Sequence, residues 1–286
     1  MFGPNTYVDE RVILNYSHRD NHFFNIYKQL TNSFTTKFNL ENYDILFIPG
    51  SGTVGIEAVM FSLVNKVKVI GIEGTFKSRW SQMASVYNKL KQSKSTSTLA
   101  CRYETSKSQV FEGAADIYDC VSSFPYFDVP ACAKVFVTCS NKQLGCLPGL
   151  SIVGVRKDCW NLFMDDSTVS YLNLSRYKAY SELNQTPTTA PTHLFEMLLS
   201  RINNINILEF RQRVDRVCSC VSKYISKNLF VGNYCGPVIT IPKSAIPTDF
   251  AKLYDLYGYT NMATPNYQIF TYSQQEKDYD EVLSKL

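Results

Sequence analysis

The sequence predicts an α/β protein in which a mostly parallel sheet lies between two layers of helices, followed by a small α+β domain. Before Pro191, short apolar runs alternate with stretches of helical periodicity, a pattern typical of parallel sheets. After Pro191 the alternation gives way to helices separated by single strands. A chain of 286 residues has room for one large and one small domain. We expect a large domain over 1–205 and a small one over 206–286.

The predicted elements follow from periodicity and from the turn residues that bound them. In the first region the apolar runs predict strands at Asp44–Pro49, Val67–Ile72, Ala115–Asp119, Val135–Cys139 and Leu150–Val155. Helical patterns cover Val54–Val64 and Ser78–Leu90, and the polar stretch Lys91–Thr98 predicts a surface loop. The later part predicts helices at Pro191–Ile202, Leu208–Ser226, Phe250–Leu256 and from Gln275, and strands at Pro237–Ile241 and Tyr267–Tyr272.

Composition narrows the class of protein. A hydrophobic content of 45% with 14% aromatic residues is typical of a folded chain. The net charge is +4 and the basic residues are dispersed, which argues against nucleic-acid binding. Nine cysteines without a C-x-x-C pattern argue against a zinc site or a disulfide framework, and no other metal site is expected. No signal peptide or membrane-spanning run is visible, so we expect a cytoplasmic protein with no membrane partner.

A glycine-rich turn, Gly50-Ser51-Gly52-Thr53, lies between the first predicted strand and the first predicted helix. Glycines let the backbone approach an anion, and the N–H groups at the start of the helix would point at a phosphate. The spacing fits neither G-x-G-x-x-G nor the Walker pattern, which disfavours nucleotide binding. A tight turn with a Ser or Thr N-cap explains the same residues. Both interpretations stand at this point.

Two ionisable residues follow predicted strands, where parallel sheets bind their ligands. Asp119 ends the run AADIYD, and its carboxylate could pair with a protonated ring nitrogen or cap the next segment. Lys142 follows the strand VFVTC, where burial could prepare a lysine to form a Schiff base with a carbonyl. A single lysine is also commonly a solvated charge. The segment Thr186–Thr192 has the composition of a loop that leads into a helix.

Taken in order, these segments resemble the class V aminotransferases, enzymes of fold type I that use pyridoxal 5′-phosphate (PLP). The resemblance covers nearly the whole chain and rests on GSGT at 50–53 with Glu57-Ala58, Glu73-Gly74-Thr75-Phe76 with Arg79, Glu104-Thr105-Ser106, Asp119-Cys120-Val121-Ser122-Ser123-Phe124, Ser140-Asn141-Lys142 with Pro148-Gly149, Thr188-Thr189-Ala190-Pro191-Thr192-His193, and Gly3-Pro4 with His18-Arg19. Within the family, the sequence is most similar to the branch of 2-aminoethylphosphonate–pyruvate transaminases.

The resemblance implies a PLP site. Lys142 would hold the cofactor as a Schiff base and move the Cα proton of the substrate. Asp119 would keep the pyridine nitrogen protonated, so that the ring accepts electrons. Phe76 would stack on the ring, although a core aromatic is the alternative. Thr105 would bind the ring oxygen, and the phosphate would be held by Ser51, Gly52, Thr53 and the neighbouring subunit's Thr189. This last contact implies a homodimer.

The sequence departs from the family pattern in several places, among them Glu73 for an asparagine and Lys107-Ser108 for a Thr-Gly pair. The stretch from Phe76 to Glu104 is short, which predicts a missing or reduced βα unit, and only 15 positions separate Glu104 from Asp119. Arg102 stands where the family has a histidine. Gln268 stands where the small domain of the family has an arginine that binds the acidic group of the substrate, and no arginine follows Arg216.

Two classes of function follow from this pattern. In the first, the chain is a PLP-dependent aminotransferase that takes a small donor, such as a compound like 2-aminoethylphosphonate, and a 2-oxo acid acceptor. A PLP-dependent lyase or decarboxylase belongs to the same class. In the second, the chain binds PLP without catalysis or acts as a scaffold. Retention of Lys142 and Asp119 favours an enzyme. Arg19, Arg79 and Arg102 are the candidates to replace the missing arginine, with solvent exposure at a strand end as the alternative for Arg102.

Overall fold

The computed structural model describes residues 16–260 and 264–286, so Gly3-Pro4 of the amino-terminal motif lies outside the described residues. The strands are β1 (Tyr43–Pro49), β2 (Lys66–Ile70), β3 (Thr96–Cys101), β4 (Tyr103–Glu104), β5 (Gln109–Val110), β6 (Ile117–Asp119), β7 (Val135–Cys139), β8 (Leu150–Arg156), β9 (Val238–Pro242) and β10 (Asn266–Phe270). The α-helices are α1 (Asn21–Phe38), α2 (Gly52–Ser62), α3 (Thr75–Tyr87), α4 (Leu174–Ser181), α5 (Thr192–Asn204), α6 (Ile207–Tyr224), α7 (Thr248–Leu253) and α8 (Glu276–Leu283). Within the described ranges, no helix is long and apolar enough to cross a membrane.

The central sheet has six strands in the order β1-β8-β7-β6-β3-β2. Its four strands β7, β6, β3 and β2 run parallel to one another, while β8 is antiparallel to both of its neighbours. The prediction of a mostly parallel sheet is therefore confirmed. Because β3, β6 and β7 are parallel, their carboxyl ends at Cys101, Asp119 and Cys139 meet at one edge of the sheet.

The two faces of this sheet are both covered by helices, as predicted. In β1, successive side chains alternate between two buried clusters, with Phe47 in one and Leu46 in the other. The first cluster includes α1 and α5, where the Phe195 ring lies 5.5 Å from that of Phe47 and 4.9 Å from that of Phe23. The second cluster includes residues of α2, α3 and α4. The result is a three-layer arrangement with the sheet in the middle.

A separate buried cluster forms around the antiparallel strands β9 and β10 and helices α6 and α8. It draws its members from Ile205 onward, apart from Tyr103, whose hydroxyl donates a hydrogen bond to the Val238 carbonyl. This α+β unit matches the element types predicted for the carboxyl-terminal region. The division of the chain after residue 205 stays a prediction.

Some elements differ from the sequence-based prediction. The loop expected over Lys91–Thr98 was wrong for its last three residues, which begin β3. A side chain from another segment stabilises this polar start: the N–H and hydroxyl of Thr98 donate to the Asp116 carboxylate at 2.8 and 2.9 Å. Helices α1 and α4 were not predicted. The connection from β3 to β6 contains the β4–β5 hairpin and a 3-10 turn in place of an α-helix, which explains how 15 positions are enough.

Candidate active site

Lys142 lies in a tight loop that joins β7 to the antiparallel strand β8. The loop is closed by hydrogen bonds from the Cys146 N–H to the Ser140 carbonyl at 3.0 Å and from the Ser140 hydroxyl to the Leu147 carbonyl at 2.7 Å. Burial lowers the pKa of the Lys142 ammonium, although the neighbouring Cys139 thiol and Asp119 carboxylate act in the opposite direction. A larger fraction of this amine is therefore neutral, and nucleophilic, than in a solvated lysine.

Asp119 ends β6 and is buried, with 3% of its surface exposed. Its Oδ1 accepts a hydrogen bond from the Val121 N–H at 3.0 Å, and its Oδ2 accepts one from the indole N–H of Trp80 at 2.8 Å. Burial raises the pKa of this carboxyl to about 6, and these two hydrogen bonds partly oppose the rise. The charge of Asp119 acts on Lys142, which places the two ionisable groups in one electrostatic environment.

The side chain of Gln143 forms hydrogen bonds that connect the loop of Lys142 with the loop that follows Asp119. Gln143 is fully buried, and its amide donates to the Ser122 carbonyl at 2.7 Å while its oxygen accepts from the Tyr126 N–H at 2.9 Å. Because Ser122 follows Asp119 and Gln143 follows Lys142, this amide fixes one loop relative to the other.

Helix α2 begins in the glycine-rich turn and meets the segment after Asp119. A Cβ on Gly52 would lie 2.5 Å from a methyl group of Val121, so only glycine permits this contact. Ser51 occupies the N-cap position but its side chain makes no cap hydrogen bond. In the first turn the Val54 N–H donates to the Ser51 carbonyl at 2.9 Å, while the N–H groups of Gly52 and Thr53 precede the point at which intrahelical acceptors become available. Binding of an anion at this helix start stays a prediction.

The motif segments around Phe76 and Thr105 contact each other through Glu104. This buried carboxylate accepts the backbone N–H of Phe76 at 3.0 Å and of Lys77 at 3.2 Å, and so caps the start of α3. A Cβ on Gly74 would lie 2.3 Å from the same carboxylate. Glu104 thereby sets the position of Phe76 at the first turn of α3.

A cavity of about 600 Å³ opens between the sheet edge and the α+β unit. Its walls include eight residues of the predicted motifs or of positions that depart from them: Thr75, Phe76, Arg79, Thr105, Ser106, Ser122, Lys142 and Gln268. The rest of the lining includes further hydroxyl and amide groups, those of Thr240, Tyr257, Thr260, Thr264 and Asn266. This volume lies in the range of small-molecule sites. Asp119 and the phosphate turn are not among the lining residues.

The three candidate arginines differ in their position relative to the cavity. Arg79 lines the cavity, and its guanidinium lies 5.5 Å from the centre of the Phe76 ring. Arg102 is not among the lining residues: its guanidinium donates to the Phe111 carbonyl and lies over the Phe127 ring, and its contact with substrate stays a prediction. Arg19 is also absent from the cavity lining and donates to Gln185 at 2.5 Å.

The amide nitrogen of Gln268 donates hydrogen bonds to other residues of the protein. This Nε2 donates to the Thr105 carbonyl at 3.2 Å and to the Thr240 hydroxyl at 3.5 Å. Gln268 and Thr240 are direct partners in the antiparallel pairing of β10 with β9. Neither bond uses its oxygen Oε1. Neither Thr240 nor the role of Trp80 could be predicted from the sequence, because both depend on contacts between distant segments. Thr189 is exposed and does not line this cavity.

The raised pKa of Asp119 predicts a pH dependence of stability. A carboxyl whose pKa rises from 3.8 to about 6 on folding binds a proton more readily in the native state, so stability falls as pH rises through this interval. We expect a loss of about 3 kcal/mol from this group in the cofactor-free protein. Urea unfolding between pH 4 and pH 7 should show this slope in wild type and not in Asp119→Asn. Equal slopes in the two proteins would contradict the assignment.

The chain has the fold of the fold type I PLP-dependent aminotransferases. It superposes on an aspartate aminotransferase of Thermus thermophilus with a TM-score of 0.81 and 15% identity, covering 99% of this chain and 98% of that one. The phosphoserine aminotransferase of Cytophaga hutchinsonii gives 0.76 and 18%, with coverage of 95% and 90%. The alanine–glyoxylate aminotransferase of Nostoc sp. gives 0.72 and 18%, with coverage of 96% and 88%.

Sequence comparison gives a relative of a different description. The 42 kDa subunit of the soluble hydrogenase of Anabaena cylindrica is 24% identical, over 78% of this chain and 71% of that protein. No protein-family profile matches the chain. Within the described residues, no cluster of three or more His, Cys, Asp or Glu side chains is placed to hold a metal ion.

Proposed function

We propose that this protein is a PLP-dependent aminotransferase. The observation that carries the proposal is the placement of Lys142, which lines the cavity with Phe76 and Thr105 and lies within the electrostatic reach of the buried Asp119. These residues fit PLP because a pyridoxal cofactor needs an amine of lowered pKa, an aromatic surface and an acid for its ring nitrogen. When bound, PLP supplies an electron sink for the carbanion at the substrate Cα.

The residues of the chain have distinct tasks in this proposal. Lys142 would hold the cofactor and then hold or move the proton at the substrate Cα. Asp119 would bind the ring nitrogen, and Phe76 and Thr105 would orient the ring from the cavity wall. The N–H groups at the start of α2, with Ser51, Gly52 and Thr53, would hold the phosphate. The contact between Gly52 and Val121 supports this division, because it links the phosphate end to Asp119.

A half-reaction tests the proposed function. Purified protein loaded with PLP would be mixed with a panel of amines that includes 2-aminoethylphosphonate, and pyridoxamine phosphate and the oxo product would be quantified by chromatography. We expect stoichiometric conversion with at least one donor and reversal by a 2-oxo acid. Release of carbon dioxide or of an eliminated group without pyridoxamine phosphate would instead identify a decarboxylase or a lyase.

The cavity favours a donor without a carboxylate beside β10. Gln268 has no charge to offer there, and the hydrogen bonds to Thr105 and Thr240 use its amide nitrogen. Arg79 is the one arginine among the cavity-lining residues that the structure describes, and it comes from α3. We therefore propose that a donor anion, where the donor has one, lies on the side of Arg79.

Gln268→Arg is expected to create activity toward alanine. A guanidinium at this position would supply the bidentate partner that best matches a carboxylate. Since truncating a buried charge pair costs about 2–5 kcal/mol, kcat/KM for alanine should rise about tenfold or more from a low wild-type value. Stopped-flow measurement of the half-reaction gives this number.

Asn266→Arg is the matched control, because Asn266 lines the same cavity two residues earlier on β10. It adds the same charge at a neighbouring site and should give a smaller gain. Efficient turnover of alanine by wild type would refute the proposed specificity. A similar gain in both variants would show that charge alone, and not the position of Gln268, determines it.

We also propose a homodimer in which Thr189 completes the phosphate site of the second subunit. Thr189 is exposed and lies away from the cavity of its own chain, as a residue that serves another subunit would. PLP affinity and dimerisation should then be linked. Sedimentation should show that PLP shifts the equilibrium toward dimer, and Thr189→Val should weaken PLP binding about tenfold. Thr168→Val, also on an exposed threonine, should not. A stable monomer that binds PLP tightly would contradict the proposal.

A second candidate function, PLP binding without turnover, is favoured by Gln268. Gln268 stands where the family has its substrate-binding arginine, and its hydrogen bond joins β10 to Thr105. A chain with this arrangement could bind the cofactor without binding a substrate. In that case PLP would bind covalently and no donor in the panel would be converted. The half-reaction described above separates the two functions.

A further inference from the structure

The indole of Trp80 contacts the carboxylate of Asp119 inside the protein. Trp80 lies on α3 and Asp119 at the end of β6, and their exposed fractions are 1% and 3%. The indole N–H donates to Oδ2 at 2.8 Å. A phenylalanine or leucine would fill the same apolar space. The choice of tryptophan therefore adds one feature, a buried donor, and the structure directs that donor to Asp119.

This hydrogen bond fixes the plane of the carboxylate. The Val121 N–H holds Oδ1 at 3.0 Å while the indole holds Oδ2, so rotation about the Cβ–Cγ bond would break at least one of the two bonds. An ionised carboxylate has about four acceptor positions. With two of them occupied from fixed directions, the positions left for a ligand are also fixed.

We propose that Trp80 is a positioning residue that orients the Asp119 carboxylate toward the ring nitrogen of the bound cofactor. The inference rests on the proposed function, since it assumes that a pyridine ring binds here. Without the indole donor, the carboxylate rotates more freely and its ionised form loses one neutral donor. Binding of a protonated ring nitrogen then weakens, whereas binding of the rest of the cofactor is unaffected.

The second tryptophan of the chain provides a matched control. Trp160 also donates its indole N–H to a carboxylate, the Oδ2 of Asp44, at 2.7 Å. Neither Trp160 nor Asp44 lines the cavity. Trp80→Phe and Trp160→Phe thus make the same chemical change, the loss of one indole-to-carboxylate bond, at and away from the candidate site.

Two cofactor analogues isolate the ring nitrogen. 4′-Deoxypyridoxine 5′-phosphate has no aldehyde and cannot react with Lys142, and its 1-deaza analogue has a C–H in place of the ring nitrogen. We would measure both dissociation constants by calorimetry at neutral pH. Wild type and Trp160→Phe should prefer the pyridine about tenfold or more, and Trp80→Phe should lose most of this preference. A purely structural role for Trp80 would weaken both analogues equally and leave their ratio unchanged, which would overturn the proposal.

A second measurement covers the case in which Trp80→Phe does not fold. In the Trp160→Phe background, β-(3-benzothienyl)alanine can replace Trp80, which keeps the ring shape and removes only the N–H. The same loss of preference is expected, and an unchanged ratio would overturn the proposal. If wild type binds neither analogue, the proposed cofactor site fails. If wild type binds both and the variant keeps the preference, only the role of Trp80 fails.

The cofactor-free protein gives an independent readout. With ¹⁵N-labelled tryptophan in Trp160→Phe, the indole signal of Trp80 should titrate with a midpoint near pH 6, the value to which burial raises the pKa of Asp119. Asp119→Asn should remove the transition. A signal of Trp80 that does not respond to pH in this range would contradict the contact on which the inference depends.

Discussion

Lys142→Ala is expected to abolish covalent retention of PLP and to lower the rate of the half-reaction by about 10²–10⁴-fold, the usual contribution of a positioned acid–base group. Lys142 is the lysine among the described residues that line the cavity, and its burial lowers the pKa of the amine. No other described side chain in that lining offers an amine. Mass spectrometry after borohydride reduction measures the covalent label, and stopped-flow measures the rate.

Lys107→Ala is the control for this experiment. Lys107 is exposed and lies two residues after Thr105, close to the site in sequence but outside the cavity lining. It should keep the full label. Far-UV circular dichroism should show that both variants fold, because neither lysine forms an ion pair with another residue in the described ranges. A label that persists in Lys142→Ala would identify another lysine as the attachment site.

The central sheet could be predicted because its strands consist of local apolar runs. The five residues of β7, VFVTC, are all buried, and the predicted bounds agree with the observed ones. Strand β3 could not be predicted in this way. Its residues Thr96–Thr98 are polar, and their partner Asp116 lies 18 positions away from Thr98. Where a strand is stabilised by polar side chains from another segment, local hydrophobicity gives no signal.

Helix α1 was not predicted from the sequence for a different reason. Its Asn, Thr and aromatic residues have weak helix propensity. The buried positions Phe23, Tyr27, Leu30 and Phe34 nevertheless recur at helical spacing. This periodicity could have identified the helix from sequence, since packing of an apolar face outweighs propensity in most protein helices.

The candidate site, too, could be predicted from the sequence only in part. The sequence motifs identified residues that follow strand ends, and the structure places Lys142 and Asp119 at one edge of the sheet. Motifs could not give the direction of a side chain. Arg102 follows β3 directly, yet its guanidinium is directed toward Phe111 and Phe127. The hydrogen-bond partner of Asp119 could not be predicted from the sequence either, because Trp80 lies 39 positions earlier, on a helix.

Asp119→Asn is expected to retain covalently held PLP but to slow the half-reaction by about 10²–10³-fold. Removing one preorganised electrostatic partner typically has an effect of this size. The neutral amide of asparagine cannot hold a proton on the ring nitrogen, so the ring withdraws electrons less strongly from the substrate Cα. Stopped-flow with the best donor measures the change, and borohydride labelling shows that the cofactor is still present.

The same variant should alter the pH dependence of PLP binding. In the cofactor-free wild type, burial raises the pKa of Asp119 to about 6, so the carboxyl takes up a proton as pH falls through this value and loses its attraction for a ring cation. PLP affinity of wild type should therefore decrease below about pH 6, while Asp119→Asn shows no such step. Asp116→Asn is the control, since Asp116 precedes the same strand and pairs with Lys134 at 2.7 Å, away from the cavity. A near-normal rate in Asp119→Asn, or a wild-type affinity that does not change across this range, would remove Asp119 from the proposed chemistry.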